Sequence, residues 1–501
     1  MNTGANITLR PYQVEAVDGI QKDLMAGQDT ILILPTGCGK TVVFAEIARR
    51  YAQRGLRTLV VAHRDELIEQ ARDTFKNVHG ILPDKEKAQD YASHQAPIVV
   101  ASVQTLRGQR LKRWNGDHFD LIIVDEAHHM AAASYVAMRN HFSSAKLLGV
   151  TATPDRGDSK GLADYFESIA YQYPLRQAIL DGYLVPIVGK KVTDEVIDLT
   201  GVKKVRGDLH EADLERALQK NITVISKGIA KETPDRKSLI FLPSVKLAET
   251  VSDQLRTAGI SSAHLSGSDS PEYRREVLAK FSSGEITHLV NCLLFTEGFD
   301  EPTVDCVVMA RPTMSRNLYS QMVGRGTRLA KDKTELLLLE FTYNSGRHTL
   351  VSPFELFADK DVTSSVRERA ERNTGDMSEI NLLNAVQQAD AEIHSISDIT
   401  KRLHIPDHAY NAFDPLALAD LAGVDFDGEM SVQWEGRKLS GPATPKQVAL
   451  LNRFDVETEG RGFDDDSRGK ARASALITLI ADNGWKIEKV IENLSRVFKN
   501  K

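Results

Sequence analysis

Three short strings of residues could do chemistry together, and all three are what phosphate chemistry needs. The first is Pro35-Thr36-Gly37-Cys38-Gly39-Lys40-Thr41. Its glycines let backbone N–H groups crowd around phosphate oxygens, and a helix starting at its end adds positive potential. Lys40 would reach the β and γ phosphates, and Thr41 would offer a hydroxyl to magnesium. Leu34 stands where the strict phosphate-loop pattern has glycine, so the match is partial. The second string is Asp125-Glu126-Ala127-His128. Adjacent carboxylates at a strand end suit a magnesium ligand, Asp125, beside a group that orients and polarises an attacking water, Glu126. The third is Gln321-Met322-Val323-Gly324-Arg325-Gly326-Thr327-Arg328. Arg325 and Arg328 lie three apart, so on a helical turn both guanidinium groups face one point and can stabilise charge on a transferring phosphoryl group.

Each string has a plainer reading: a strand-to-helix turn, a solvated strand end, a basic helix face. Their order along one chain argues against coincidence.

Elements that could position these residues are visible around them. Apolar runs rich in Val, Ile and Leu recur at 30–34, 58–62, 98–102, 121–125 and 147–151, and again at 238–242, 288–292, 306–310 and 335–341. They do not alternate apolar with polar, which is the mark of strands buried on both faces. Helical patterns such as 41–53 and 66–75 fall between them. Strand alternating with helix predicts parallel sheets and an α/β fold, with the ligand crevice at the carboxyl ends of the strands. The expected organisation is a first sheet lobe at 1–180, a connector at 181–232 and a second sheet lobe at 233–349. An acidic accessory region at 350–440, with a helix over 379–396, and a small helical module at 441–501 follow. The last begins where Thr444-Pro445 reads as an N-cap followed by proline at the first helical position.

Bulk composition narrows the class. The chain has 501 residues, 42% hydrophobic and 26% charged, which requires several cores and is ordinary for a globular protein. The three cysteines, Cys38, Cys292 and Cys306, are too scattered for a disulfide framework or a structural zinc site. No signal-peptide pattern or bilayer-length apolar run is present, so a cytoplasmic protein is expected. The net charge of −6 argues against a polyanion partner until its distribution is read. Residues 350–442 carry 8 basic and 17 acidic side chains. The acidity is therefore concentrated outside the expected sheet lobes, where local basic grooves remain open to nucleic acid.

The three strings resemble motifs I, II and VI of the superfamily 2 helicases, and others follow in order. Leu9-Arg10-Pro11-Tyr12-Gln13 resembles the adenine-reading element. Val61-Ala62-His63-Arg64-Asp65-Glu66-Leu67 resembles motif Ia, and Ala101-Ser102-Val103-Gln104-Thr105 motif Ib. Thr151-Ala152-Thr153-Pro154 resembles motif III, Leu239–Ser244 motif IV, and Thr296–Pro302 motif V. The resemblance spans about residues 7–345. Within the superfamily the set looks closest to bacterial and phage DNA-repair helicases of the RadD-like kind. Those carry a cysteine cluster after the motor, whereas no cysteine follows Cys306 here.

The resemblance implies two tandem RecA-like lobes with ATP and Mg2+ in the cleft between them. It places Lys40, Asp125, Glu126, Gln321, Arg325 and Arg328 in catalysis. It places Arg10, Gln13, Pro35, Thr36, Gly37, Cys38, Gly39, Lys40, Thr41, Gly298 and Asp300 at the nucleotide, with Thr41 and Asp125 toward the metal. His128, Thr151 and Thr153 would couple hydrolysis to strand movement. His63, Arg64, Ser102, Gln104, Ser244 and Thr296 would contact the nucleic-acid strand, mainly at phosphates, positioning it without reading sequence. The expected activity is an ATP-dependent helicase or translocase, with DNA favoured over RNA as partner. An RNA remodeller and a nucleotide-gated clamp that recruits a nuclease or repair partner are the alternatives.

Two further residues carry sharper and plainer readings. Cys38 sits near a helix start, where a thiol becomes more acidic and oxidation-sensitive, though a small residue that merely fits is the plainer account. His129 next to His128 reads as structural, because no nearby Cys/His set completes a metal site.

Overall fold

The computed structural model describes residues 8–153, 162–205, 207–295, 298–346, 348–357, 364–374 and 379–391. The helical module expected at 441–501 and most of the acidic region lie outside them.

The apolar runs form the strands expected of them. In the first lobe these are β1 (Thr30–Ile33), β2 (Thr58–Ala62), β3 (Asp84–Glu86), β4 (Ile98–Ser102), β5 (Leu121–Asp125), β6 (Lys146–Thr151) and β7 (Ser168–Gln172). They make one seven-stranded sheet in the order β3-β4-β2-β5-β6-β1-β7, parallel throughout. β1, β2, β4 and β5 are buried at every residue, as two-faced burial requires. Helices α1 (Pro11–Met25), α2 (Lys40–Gln53) and α3 (Asp65–His79) are amphipathic. Phe44 of α2 and Phe75 of α3 are fully buried, a type of contact that contributes roughly 1.5–3 kcal/mol per side chain.

The second lobe repeats the architecture. Its strands are β8 (Ile187–Asp198), the short pair β9 (Lys204–Val205) and β10 (Asp208–Leu209), then β11 (Ser238–Phe241), β12 (Ser262–Leu265), β13 (His288–Asn291), β14 (Cys306–Met309), β15 (Leu336–Asn344) and β16 (Glu379–Asn381). Seven of them form a sheet in the order β12-β13-β11-β14-β15-β8-β16, with only β16 antiparallel. The fold class is therefore α/β with two parallel-sheet lobes. Both sheets fall within one compact unit.

Three expectations differ from this structure. The stretch 181–232, expected as a connector, is built into the second lobe: β8 lies beside β15, and the helices Glu211–Lys220 and Ile222–Glu232 join that lobe's core. Its strand was hidden because Ile187–Asp198 carries lysines and acids and is buried only at intervals. β7, whose residues are mostly half-exposed, gave no apolar run either. The helix expected from Glu379 begins with β16, and residues 382–391 are helical.

Candidate functional site

Most described motifs sit at the carboxyl end of a strand or in the loop after it, where an open α/β sheet presents ligands; Leu9–Gln13 instead opens α1, and the arginine string closes the helix Arg316–Gly324. The phosphate loop links β1 to α2. Gly39 caps α2 with φ of 76°, a left-handed conformation that favours glycine. A Cβ there would come within 2.6 Å of the Gln13 amide nitrogen. Gln13 Nε2 and the Tyr12 hydroxyl both donate to the Cys38 carbonyl, at 3.2 and 2.8 Å, so α1 pins the loop from beneath. Leu34 is fully buried in this strand-to-loop step, which explains an apolar side chain at the position where glycine was expected.

Asp125 ends β5 and Glu126 follows it in a left-handed conformation, φ 53° and ψ 56°. A non-glycine residue held there stores strain of order 1 kcal/mol or more, a feature that clusters at functional sites. The Glu126 N–H donates to Asp125 Oδ1 at 3.0 Å. His128 Nδ1 lies 3.4 Å from Glu126 Oε2.

The second lobe supplies the opposite wall. The helix Arg316–Gly324 delivers Arg325 at its end, and Arg325 donates to the Phe299 carbonyl at 2.9 Å. Arg328 donates to the same carbonyl and pairs with Asp300. Burial lowers the Arg328 pKa, and the Asp300 carboxylate opposes that effect. A Cβ on Gly324 would lie 2.6 Å from Thr36 Cβ, and one on Gly37 would lie 3.0 Å from Arg328 Cγ. The arginine string is therefore pressed directly onto the phosphate loop.

The result is one cleft of about 1080 Å3, open to solvent, with walls from both lobes. Arg10, Thr36, Gly37, Gly39, Lys40, Thr41, Asp125, Glu126, Gly298, Asp300, Arg325 and Arg328 all line it. Thr41 and Asp125 bring a hydroxyl and a carboxylate, the hard oxygen donors that fit magnesium. The arrangement can hold a polyphosphate between a lysine, two arginines and loop N–H groups, with a carboxylate at hand for a water.

Four expected site residues stand elsewhere. Gln13 uses both ends of its amide locally, its oxygen accepting from the Arg10 N–H at 3.0 Å and its nitrogen donating to the Cys38 carbonyl of the phosphate loop. Pro35 lines a neighbouring interlobe cavity. Cys38 is fully buried, and that burial pushes its thiol up to about 12, so the oxidation-sensitive reading gives way to the plainer one. Gln321 is 3% exposed within its helix. Arg10 lies over the Tyr183 ring, 4.9 Å from its centroid, and both line the cleft. Tyr183 lacks any local pattern that would have marked it.

The expected strand contacts divide. Ser102 Oγ donates to Gln104 Oε1 at 2.6 Å, and Gln104 Nε2 donates to the His63 carbonyl at 2.8 Å, so these three form one group. Arg64 instead reaches across to the second lobe, donating to the Leu294 carbonyl at 3.3 Å. Ser244 Oγ caps the helix Val245–Thr257 by accepting from the Leu247 N–H. Thr296 lies outside the described residues. Of the expected coupling residues, Thr151 Oγ1 donates to the Thr153 carbonyl, and Thr153 Oγ1 donates to Asn317 Oδ1 of the second lobe at 2.8 Å. Asn317 and Lys333 were missed. Lys333 Nζ donates to the Pro302 and Gly326 carbonyls at 3.1 and 2.6 Å, tying the Asp300 loop to the arginine loop.

Comparison with known proteins agrees with this architecture. The family described as "Type III restriction enzyme, res subunit" matches residues 6–156, and "Helicase conserved C-terminal domain" matches residues 216–330. IRC3 of Saccharomyces cerevisiae, provisionally described as an ATP-dependent helicase, is 31% identical over 66% of this chain and 51% of its own length. The DNA 3'-5' translocase XPB2 of Sulfurisphaera tokodaii is 26% identical over 66% of this chain and 81% of its own. A solved fragment of a provisionally assigned HsdR subunit of a type I restriction enzyme from Vibrio vulnificus YJ016 superposes with a TM-score of 0.55 at 25% identity, over 70% of this chain and 65% of that one. The chain spans about half the length of the first curated relatives it matches. Two domain families in the helicase order, one on each sheet lobe, place the protein in the superfamily 2 helicases.

Proposed function

We propose that the protein is a nucleic-acid-dependent ATPase that translocates on or unwinds DNA. One observation carries the proposal: the phosphate loop, Asp125-Glu126 and the Arg325–Arg328 pair, which come from two lobes, share one cleft. In this reading Lys40 and the loop N–H groups hold the β and γ phosphates. Thr41 and Asp125 hold magnesium, which neutralises charge on the phosphates when bound. Glu126 orients the attacking water. Arg325 and Arg328 act in cis, leaving Phe299 and Asp300 for the γ-phosphate as charge develops there. A strand lying across His63, Ser102 and Gln104 of the first lobe would favour closure and so complete the cleft. DNA is favoured because a translocase named for DNA and a restriction-enzyme subunit stand among the similar proteins.

The test is ATP turnover by wild type, Lys40→Ala and Glu126→Gln, with single-stranded DNA, RNA or neither, alongside strand displacement on duplex and branched DNA. The proposal expects DNA-stimulated turnover that both substitutions abolish. Turnover near wild type in either variant would sink the mechanism, and stimulation by RNA alone would move the substrate to RNA.

A further inference from the structure

The ATP cleft and the residues assigned to the strand are joined by a run of contacts whose middle member is His129. The 3₁₀ turn Ala127–His129 follows directly on Glu126. His128 reaches back to the Glu126 carboxylate, 3.4 Å away. The His129 ring packs against the His128 ring, with centroids 4.1 Å apart, and meets the His63 ring edge-on at 4.2 Å and 63°. The His63 carbonyl is held by Gln104, and Gln104 by Ser102. Adjacent histidines thus divide the work: one touches the carboxylate assigned to the water, the other touches the loop assigned to the strand. No metal is needed to explain them, since among the described residues no group of three or more His, Cys, Asp or Glu is arranged to hold one.

We propose that His129 is a positioning residue that links strand binding at His63 to the setting of Glu126. Glu126 occupies a conformation that is kept only while its surroundings over-determine it. The 3₁₀ turn is part of those surroundings, and the His63–His129 contact fixes the turn from the strand side. A strand that seats His63 would therefore stiffen the turn and hold Glu126 toward the water. Contact between the rings carries the effect, so an aromatic ring without ring nitrogens should serve. This inference rests on the proposed ATPase function.

The experiment measures ATP turnover by the full chain, with and without a single-stranded DNA oligonucleotide, for wild type, His129→Ala and His129→Phe. For His129→Ala the expectation is an unchanged basal rate and half-saturating DNA concentration, with the maximal stimulation reduced about tenfold, within the range usual for coupled sites. His129→Phe should retain the stimulation, which also guards against reading misfolding as uncoupling. Equal stimulation of wild type and His129→Ala would overturn the inference alone. So would His129→Phe matching His129→Ala, or a loss in His129→Ala confined to DNA affinity. A wild-type chain that DNA and RNA both fail to stimulate would overturn the proposed function and this inference with it.

Discussion

Thr153 of the first lobe donates its hydroxyl to Asn317 of the second across 2.8 Å, so the loop after β6 and the helix carrying the arginine string are joined side chain to side chain. Thr153 is itself held by Thr151, whose hydroxyl bonds the Thr153 carbonyl. A neutral hydrogen bond of this kind contributes about 1 kcal/mol, close to a fivefold change in an equilibrium. Thr153→Val should therefore lower nucleic-acid-stimulated ATPase by roughly fivefold, through a less populated closed form. Asn317→Ala should do the same, and the double variant should lose little more. If the two effects multiply in the double variant, the bond is not the clasp between the lobes.

Gly324 is a point where the arginine helix lies close against the phosphate loop. A Cβ there would sit 2.6 Å from Thr36 Cβ and 3.0 Å from its hydroxyl oxygen, distances that force one lobe to move. Each lobe has its own buried core, so the lobes themselves should survive. Gly324→Ala should thus lower ATPase by about tenfold or more, since about 1.4 kcal/mol against closure suffices for that, while the thermal midpoint stays near wild type. A variant with normal turnover would show that this contact is not kept in the active arrangement.

How much of this was legible in the sequence depended on whether a residue's role is written locally. The phosphate loop, Asp125-Glu126 and the arginine string are runs at strand ends, and twelve of the residues assigned to the nucleotide or its chemistry line one cleft. Asn317 and Tyr183 are single residues with partners far along the chain, and Lys333 is a lone lysine that reaches backbone carbonyls 7 and 31 residues back, so no spacing could mark them. Gln13 is expected at the nucleotide as part of the adenine-reading element, and that spacing gives no sign that its amide and the Tyr12 hydroxyl both donate to the Cys38 carbonyl from under the loop. β8 escaped because a strand near the edge of a sheet tolerates the charged residues that broke its apolar pattern.

Lys333 makes the arginine loop sensitive to alkali. Its ammonium bridges the Pro302 and Gly326 carbonyls, and burial lowers its pKa to about 8, with Asp305 opposing that shift and Arg328 adding to it. The charged form is present below that value and is lost as pH rises through it. Charge-assisted bonds to the two carbonyls then become weaker neutral ones. Maximal turnover should fall on the alkaline side of about pH 8. Lys333→Arg should flatten that limb, because guanidinium keeps its charge there, and Lys333→Met should be slow at every pH. An alkaline limb unchanged in Lys333→Arg would assign it to another group.

His288 should make the second lobe sensitive to acid. It lies on β13 with no exposed surface, its ring nitrogens paired with the hydroxyls of Thr233 and Thr287 at 3.0 and 2.9 Å. Burial lowers its pKa to about 4 from the ordinary histidine value of 6.5. Between those two values the unfolded chain binds a proton that the folded chain refuses, so stability falls as pH falls across that window and the loss is complete near its lower end. At 1.36 kcal/mol per unit the loss amounts to about 3 kcal/mol at most. His288→Gln removes the titrating group and keeps a polar side chain. Its urea unfolding free energy should start lower at neutral pH, where it replaces a well-packed ring, and then decline less steeply than wild type between about pH 6.5 and 4. Parallel profiles for the two proteins would mean that His288 takes up its proton without unfolding the lobe.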